Sequence, residues 1–241
     1  GLEVSLAHLF APDYEFELRY FNISDWNDTQ SFTSAAGGSI GTNPPTPFAG
    51  VAFISLSYDS DLQGLEANIR RPINPALNLF AGFRWVSLDE DLRANFTFAG
   101  PLATYNVNTN NDLYGLQIGA DGTFWNIGWL RMEYFGKVGL FANDASQDST
   151  LVQVGPPVFG SASDSGSETA FLAELGLTGV VQISPHWSLR GGYRLMWIDG
   201  VALAADQIPN TGIMNAGPTT SSLDTSTAFY HGAHVGLELC W

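Results

Sequence analysis

Residues 187–197 read WSLRGGYRLMW, and they pose the question on which the fold turns. Tryptophan stands at both ends. Leu189, Gly191, Tyr193 and Leu195 occupy odd positions between them, while Arg190 and Arg194 occupy even ones. This is the period-2 pattern of a β-strand with one apolar and one polar face. In a water-soluble sheet the apolar face would meet a core. In a transmembrane barrel it would meet lipid, and the arginines would point inward.

The rest of the chain repeats the pattern. Strand-like segments fall at about 2–10, 14–24, 50–71, 77–98, 108–123, 128–142, 168–183, 186–200 and 226–241. Convincing helical periodicity is absent, and no apolar run is long enough for a transmembrane helix. Short connections (11–14, 73–76, 124–128, 184–186) alternate with long ones (25–49, 99–107, 143–167, 201–225). Strict alternation is expected when every second connection lies on the same rim, as in an up-and-down outer-membrane barrel. A Greek-key sandwich gives no reason for it. The expected fold is therefore a single all-β domain over 1–241, an antiparallel up-and-down transmembrane barrel of eight to ten strands. Gly1 opens directly into strand-like sequence, as a mature or trimmed chain would.

Segments 50–71 and 77–98 change apolar phase midway. Ile54, Leu56 and Tyr58 are even, whereas Leu65, Ala67 and Ile69 are odd; Trp85 is odd, whereas Phe96 and Phe98 are even. One reading is a hairpin that projects past the bilayer with a bulge or twist where it leaves. The other is two extra hairpins at YDSD and LDED.

Outward sets chosen by bulky apolar residues carry almost no charge, for example Leu79, Phe83 and Trp85, or Tyr114, Leu116 and Ile118. Aromatics stand near the ends of these sets: Trp85, Tyr114, Phe124, Trp187, Trp197, Phe229 and Trp241. Ten residues at about 3.3 Å, tilted about 40°, span roughly 25 Å, the height of a lipid-facing band. Trp and Tyr favour its two interfaces. The opposite faces hold seven of the nine basic residues, together with seven Glu and one Asp. The expected interior network is Glu17, Arg19, Glu66, Arg70, Arg84, Arg131, Glu133, Lys137, Glu174, Arg190, Arg194 and Glu238, with Glu174 the expected partner of Arg190 and Arg194. The remaining acids fall in segments read as loops and strand ends.

Nine Lys and Arg against 24 Asp and Glu give a formal net charge of −15, which argues against nucleic-acid binding. The single cysteine, Cys240, excludes an internal disulfide framework and a Cys-based zinc site. Catalysis has weak support, because the four histidines (His8, His186, His231, His234) have no nameable Ser–carboxylate partners. No metal site or cofactor is expected, although SLDEDLR and NDASQDS could bind calcium weakly.

Several stretches resemble a family of outer-membrane β-barrel proteins abundant in planctomycete-type bacteria: ELRYFNI (17–23), SDLQGLEANIRR (60–71), LFAGFRWVSLDEDLR (79–93), NDLYGLQIGADGTFW (111–125), FGKVGLFAN (135–143) and SLRGGYRLMWIDGVALAADQI (188–208). The resemblance implies an outer-membrane barrel without a defined activity, and another strand upstream of residues 1–10. The terminal YHGAHVGLELCW also resembles a barrel assembly signal, with Trp where Phe is usual.

Three roles follow as expectations. The first is a non-enzymatic barrel of the bacterial outer membrane, its narrow interior filled by paired charges, anchoring or meeting partners through acidic external loops. The second is a narrow porin for small solutes. The third is a soluble lipocalin-like carrier, which needs the opposite facing. The expected partners are the lipid bilayer and, through small residues on the lipid face, a homo-oligomer or cell-envelope proteins.

Overall fold

A computed structural model describes residues 1–34, 51–74, 76–97, 102–153, 159–208 and 222–240. Nine strands appear in chain order: β1 (Leu2–Ala11), β2 (Tyr14–Thr33), β3 (Phe53–Asn74), β4 (Leu77–Thr97), β5 (Leu102–Asn126), β6 (Leu130–Gln153), β7 (Phe159–Gln182), β8 (Trp187–Val201) and β9 (Ser226–Leu239). A four-residue helix, α1 (Ala204–Gln207), sits between β8 and β9. Each strand pairs antiparallel with the next, in the order β1 to β9. The sheet curls until the Arg194 guanidinium on β8 reaches Glu3 on β1 at 2.6 Å. Among the described residues no ladder joins β1 to β9. Nine alternating strands leave these two edges running the same way, so an antiparallel ladder across the seam would need a further strand of opposite direction.

The short connections cluster at one rim, the turn rim. Gly128, at φ +89°, makes the β5–β6 turn there. Toward the other rim β2 to β7 run far beyond a membrane's thickness. The 21 residues of β4 extend about 70 Å, against roughly ten residues for a lipid crossing.

Much of the sequence read as long connections is strand. β6 continues through Gln153 and β7 begins at Phe159, so only the centre of 143–167 remains between them. β5 begins at Leu102, and β2 continues to Thr33. The reason is that side chains facing outward here are Asp, Asn, Ser and Thr, while several buried ones are small or polar. Asn143, Ala145, Gln147 and Ser149 are buried at alternate positions with exposed polar residues between them. Burial alternates; hydrophobicity does not. The central parts of the loops 25–49 and 201–225 lie outside the described residues.

The phase change in β3 and β4 involves neither a bulge nor extra hairpins. Their ladder runs without a register shift from Phe53↔Thr97 to Pro72↔Asn78. On β4 the even residues face inward throughout: Arg84, Val86, Leu88, Glu90, Leu92, Ala94 and Phe96 are all buried. What changes is polarity, on both faces at one level. Outward, Leu79, Phe83 and Trp85 give way to Ser87, Asp89 and Asp91; inward, Arg84 gives way to Val86 and Leu88. Below the switch the outside is apolar and the inside charged. Above it the outside is polar and the inside is an ordinary core.

Outward apolar residues of the lower half are strongly exposed, among them Leu116 (72 %), Val235 (80 %) and Leu237 (67 %). A lipocalin-like arrangement would turn these side chains inward, and the structure does the reverse. Trp85 pairs with Tyr114 and Trp197 with Phe229 near the polarity switch, while Phe124 and Trp187 lie toward the turn rim, exposed. Trp241 lies outside the described residues.

Candidate functional site

The interior of the curled sheet is the one place where charged groups from most strands converge, and it is filled in tiers. At its centre two acids and two bases meet. Lys137 Nζ lies 2.5 Å from Glu66 Oε1 and 3.1 Å from Glu174 Oε2. Arg84 Nη1 lies 2.9 Å from Glu174 and 3.5 Å from Glu66. All four side chains are buried. Such a group is tolerable only when it is internally neutral and hydrogen-bonded. The amides of Gln117 and Asn68 supply further donors: Gln117 donates to Glu66 at 2.9 Å, and Asn68 to Glu17 at 3.1 Å. Glycine makes the room. A Cβ at Gly115 would lie 2.1 Å from the Leu140 carbonyl oxygen and 2.6 Å from the Phe141 ring.

Two half-open clusters flank this centre. On β2, β3 and β5, Arg19 pairs with Glu17 at 3.1 Å, and Arg70 with Glu15 at 3.1 Å and Asp121 at 2.5 Å. On β6, β8 and β9, Arg190 pairs with Glu133 at 2.7 Å and Glu238 at 2.6 Å, and Arg131 pairs with the same two acids at 2.5 and 3.5 Å. The structure thus brings Glu17, Arg19, Glu66, Arg70, Arg84, Arg131, Glu133, Lys137, Glu174, Arg190, Arg194 and Glu238 onto one concave face, each with an opposite charge within 4 Å. Arg194 reaches Glu174 at 3.2 Å, but Arg190 lies nearer the turn rim and does not meet it.

Above the charged tiers lie two apolar clusters. The lower one gathers Phe21, Leu62, Leu88, Leu113, Phe141 and Met196, with others from β7, β8 and β9. The upper one gathers Ile54, Leu92, Phe96, Tyr105, Val107 and Leu151. Sequence reasoning missed both clusters, although Leu62, Val86 and Leu88 share parity with Glu66 and Arg84 and carried the signal.

The connection leaving β8 turns into this interior between the clusters. Gly200, at φ +82°, makes the turn. A Cβ there would lie 2.6 Å from the Thr169 carbonyl oxygen, so no other residue fits without strain. Val201, Ala202 and Ala204 are then fully buried. Asn111 clamps Ala202 from both sides, donating to its carbonyl at 2.8 Å and accepting its amide at 2.7 Å. Asn143 donates to the Gly200 carbonyl at 2.9 Å. The Glu90 carboxylate accepts the Ala204 amide at 2.9 Å. Burial raises the Glu90 carboxyl above the ordinary glutamate range, opposed by the hydrogen bonds from Tyr58 and Ala204. Burial likewise raises the Tyr58 hydroxyl. Sequence reasoning did not single out Asn111, Asn143 or Glu90: Asn143 falls in a segment read as a loop, and although Asn111 and Glu90 fall in segments read as strands, nothing in the sequence marks the main chain they meet.

Nothing in this geometry is a nucleophile held by a base. Thr178 and His234 form an isolated hydroxyl–imidazole contact at 3.2 Å. Tyr193 and His231 meet at 2.5 Å on the outward face. Among the described residues no group of three or more His, Cys, Asp or Glu side chains is placed to hold a metal ion. Among the described residues no helix is long and apolar enough to cross a membrane.

The family model described as "Putative beta barrel porin-7" matches residues 20–241. No match was found among curated proteins.

Proposed function

The chain belongs to this beta barrel porin family, and from that premise we propose that it is an integral outer-membrane β-barrel, sealed across its interior, that works as an anchoring or surface-interaction protein. The observation that carries the sealed reading is the stack of tiers: a neutral, buried ion-pair cluster beneath two apolar clusters spanned by side chains from nearly every strand. An ion crossing it would have to shed water against Leu113, Phe141 and Leu172, with no charged group at that level to replace it.

The outward band supports membrane residence, since its exposed Leu, Val and aromatic side chains would aggregate in water. The long extensions of β2 to β7 then form a rigid head outside the bilayer, and the head's wall, with Asp59, Asp89, Asp91, Asp112, Asp144 and Asp148, is the surface offered to cell-envelope partners. The acidity belongs to strands of a fixed wall, not to loops. The interior offers ion pairs without a reacting centre, which supports a non-enzymatic role.

Planar-bilayer recording tests the sealed reading. Purified protein should give no steady single-channel steps. Steady steps enlarged by Arg190→Ala or Arg194→Ala would overturn it in favour of the second reading, a narrow porin, which the family description and the half-open Arg131–Arg190 vestibule favour.

A further inference from the structure

Above the polarity switch the sheet carries acids on every strand, for example Asp28, Asp59, Asp91, Asp112, Asp148 and Asp164 on β2 to β7 in turn. All nine Lys and Arg lie within the described residues, and Arg93 is the one that stands in this head. Its guanidinium is taken up by Asn106 at 3.1 Å. On the outer wall Asp59 stands directly opposite Asp91, a pairing that costs stability unless a cation lies near. A head so unbalanced draws cationic partners and repels anionic ones.

The sheet of the head has two edges, and they differ. β8 covers β7 only as far as Phe171. Above that level the chain before β9 takes over: the Leu223 amide donates to Asp164 at 2.9 Å, and the Leu223 side chain lies over Gly166. β1 covers β2 only as far as Asn22. From Trp26 to Thr33, β2 pairs with β3 in an unbroken register, and among the described residues no ladder forms on its other side. This free stretch holds no Pro and no Lys, two residues that commonly blunt an exposed edge.

Two rings show the same one-sided cover. Trp26 and Phe32 point to the concave side, since they stand opposite Ser60 and Ile54, both buried. Yet Trp26 is 51 % and Phe32 48 % exposed. Trp26 keeps that exposure although Tyr230 packs against it at 5.6 Å between ring centroids. Ser60 and Ile54 have a strand on either side, whereas the two rings have one. A further strand beside β2 would bury their open flanks. It would also take up the alternate N–H and C=O groups that point away from β3.

We propose that the free edge of β2, Trp26–Thr33, takes an extended basic segment of a cell-envelope partner as an added strand. Apolar side chains of that segment lie over Trp26 and Phe32, and its Lys or Arg side chains reach outward toward Asp59. Main-chain hydrogen bonds supply the affinity, and the charge of the wall steers the encounter. The proposal rests on the surface-interaction reading and gives that partner a form and a charge.

The test uses the full chain in detergent and two synthetic peptides of about eight residues, matched to the free edge. One alternates valine and lysine. The other is the same peptide with its main-chain nitrogens methylated, which keeps the charge and removes the donors. The first should bind, and the β2 amides that point away from β3 should then exchange with solvent at least about tenfold more slowly. The methylated peptide should bind at least about tenfold more weakly. Asp59→Asn should weaken the first peptide several-fold at low salt, and added salt should erase the difference. Equal capture of both peptides without slowed exchange would mean that the acidic wall holds them by charge alone. That result overturns strand addition and leaves the surface-interaction reading intact. Slow exchange of the same amides before any peptide is added also overturns it, because the chain itself then covers the edge. Failure of both peptides to bind overturns it too, and leaves the sealed reading to its own test in planar bilayers.

Discussion

Lys137 shows how much one interior side chain carries. Its ammonium is a shared partner of Glu66 and Glu174, and removing it takes one of the two cations from a buried centre that keeps both carboxylates. Lys137→Met should therefore destabilise by about 3–5 kcal/mol, the range for breaking one partner out of a buried pair. The change is read from the denaturant midpoint in detergent, and a loss below about 1 kcal/mol would mean that the tier is open to water. Glu90 behaves differently. It faces Tyr58 on β3, the Ala204 amide and Asp206 on α1, and the field of Tyr230 on β9, with no cation beside it. Its carboxyl titrates above the ordinary glutamate range, so the folded state holds the proton more tightly than the unfolded state. The stabilisation is then complete below the ordinary glutamate value and is lost as pH rises through the raised one. Amide protection of Ala204 should fall across that window, and Glu90→Gln should hold it constant. An unchanged pH dependence in Glu90→Gln would show that another group governs the protection of the Ala204 amide.

At the scale of the strand, β5 places two environments on one face. Leu116 and Asn108 share parity and both point outward, but Leu116 lies below the polarity switch and Asn108 above it. Leu116→Arg should cost about 2–4 kcal/mol in lipid, whereas Asn108→Arg should be nearly neutral. Equal effects on the folding midpoint in vesicles would remove the argument for a lipid band at this level. The same strand shows where sequence reading runs out. The lower half of β5 was legible because Tyr114, Leu116 and Ile118 alternate with Gly115, Gln117 and Gly119. The strand was read only from residue 108, although β5 begins at Leu102, because Thr104 and Asn106 alternate with Ala103, Tyr105 and Val107 and that composition looks like a loop. A water-exposed strand over a partly polar core has period-2 burial without period-2 hydrophobicity. The phase change in β3 and β4 had the same origin. It marks where the outward face turns from apolar to polar, not a change in the backbone.

For the whole molecule, a barrel of the outer membrane as proposed should resist detergent until heated. Unboiled protein should migrate faster on a gel than boiled protein, and a single position regardless of heating would argue against a stable barrel. The sequence by itself determined the class of fold, the up-and-down order, the outward apolar band and the inward charge set. These follow from parity within single strands, and parity needs no knowledge of neighbours. It left three things open: the pairings, the apolar clusters of the interior and the inward course of residues 200–204. That Arg194 meets Glu174 while Arg190 meets Glu133 and Glu238 depends on height in the curled sheet. That Leu88, Leu113 and Leu172 form one cluster depends on strands far apart in the sheet coming within contact distance. That residues 200–202 turn inward depends on Asn111 and Asn143 facing them across the curled sheet, 91 and 57 residues away in sequence from Ala202 and Gly200. Curvature alone brings these groups together, and no local pattern encodes it.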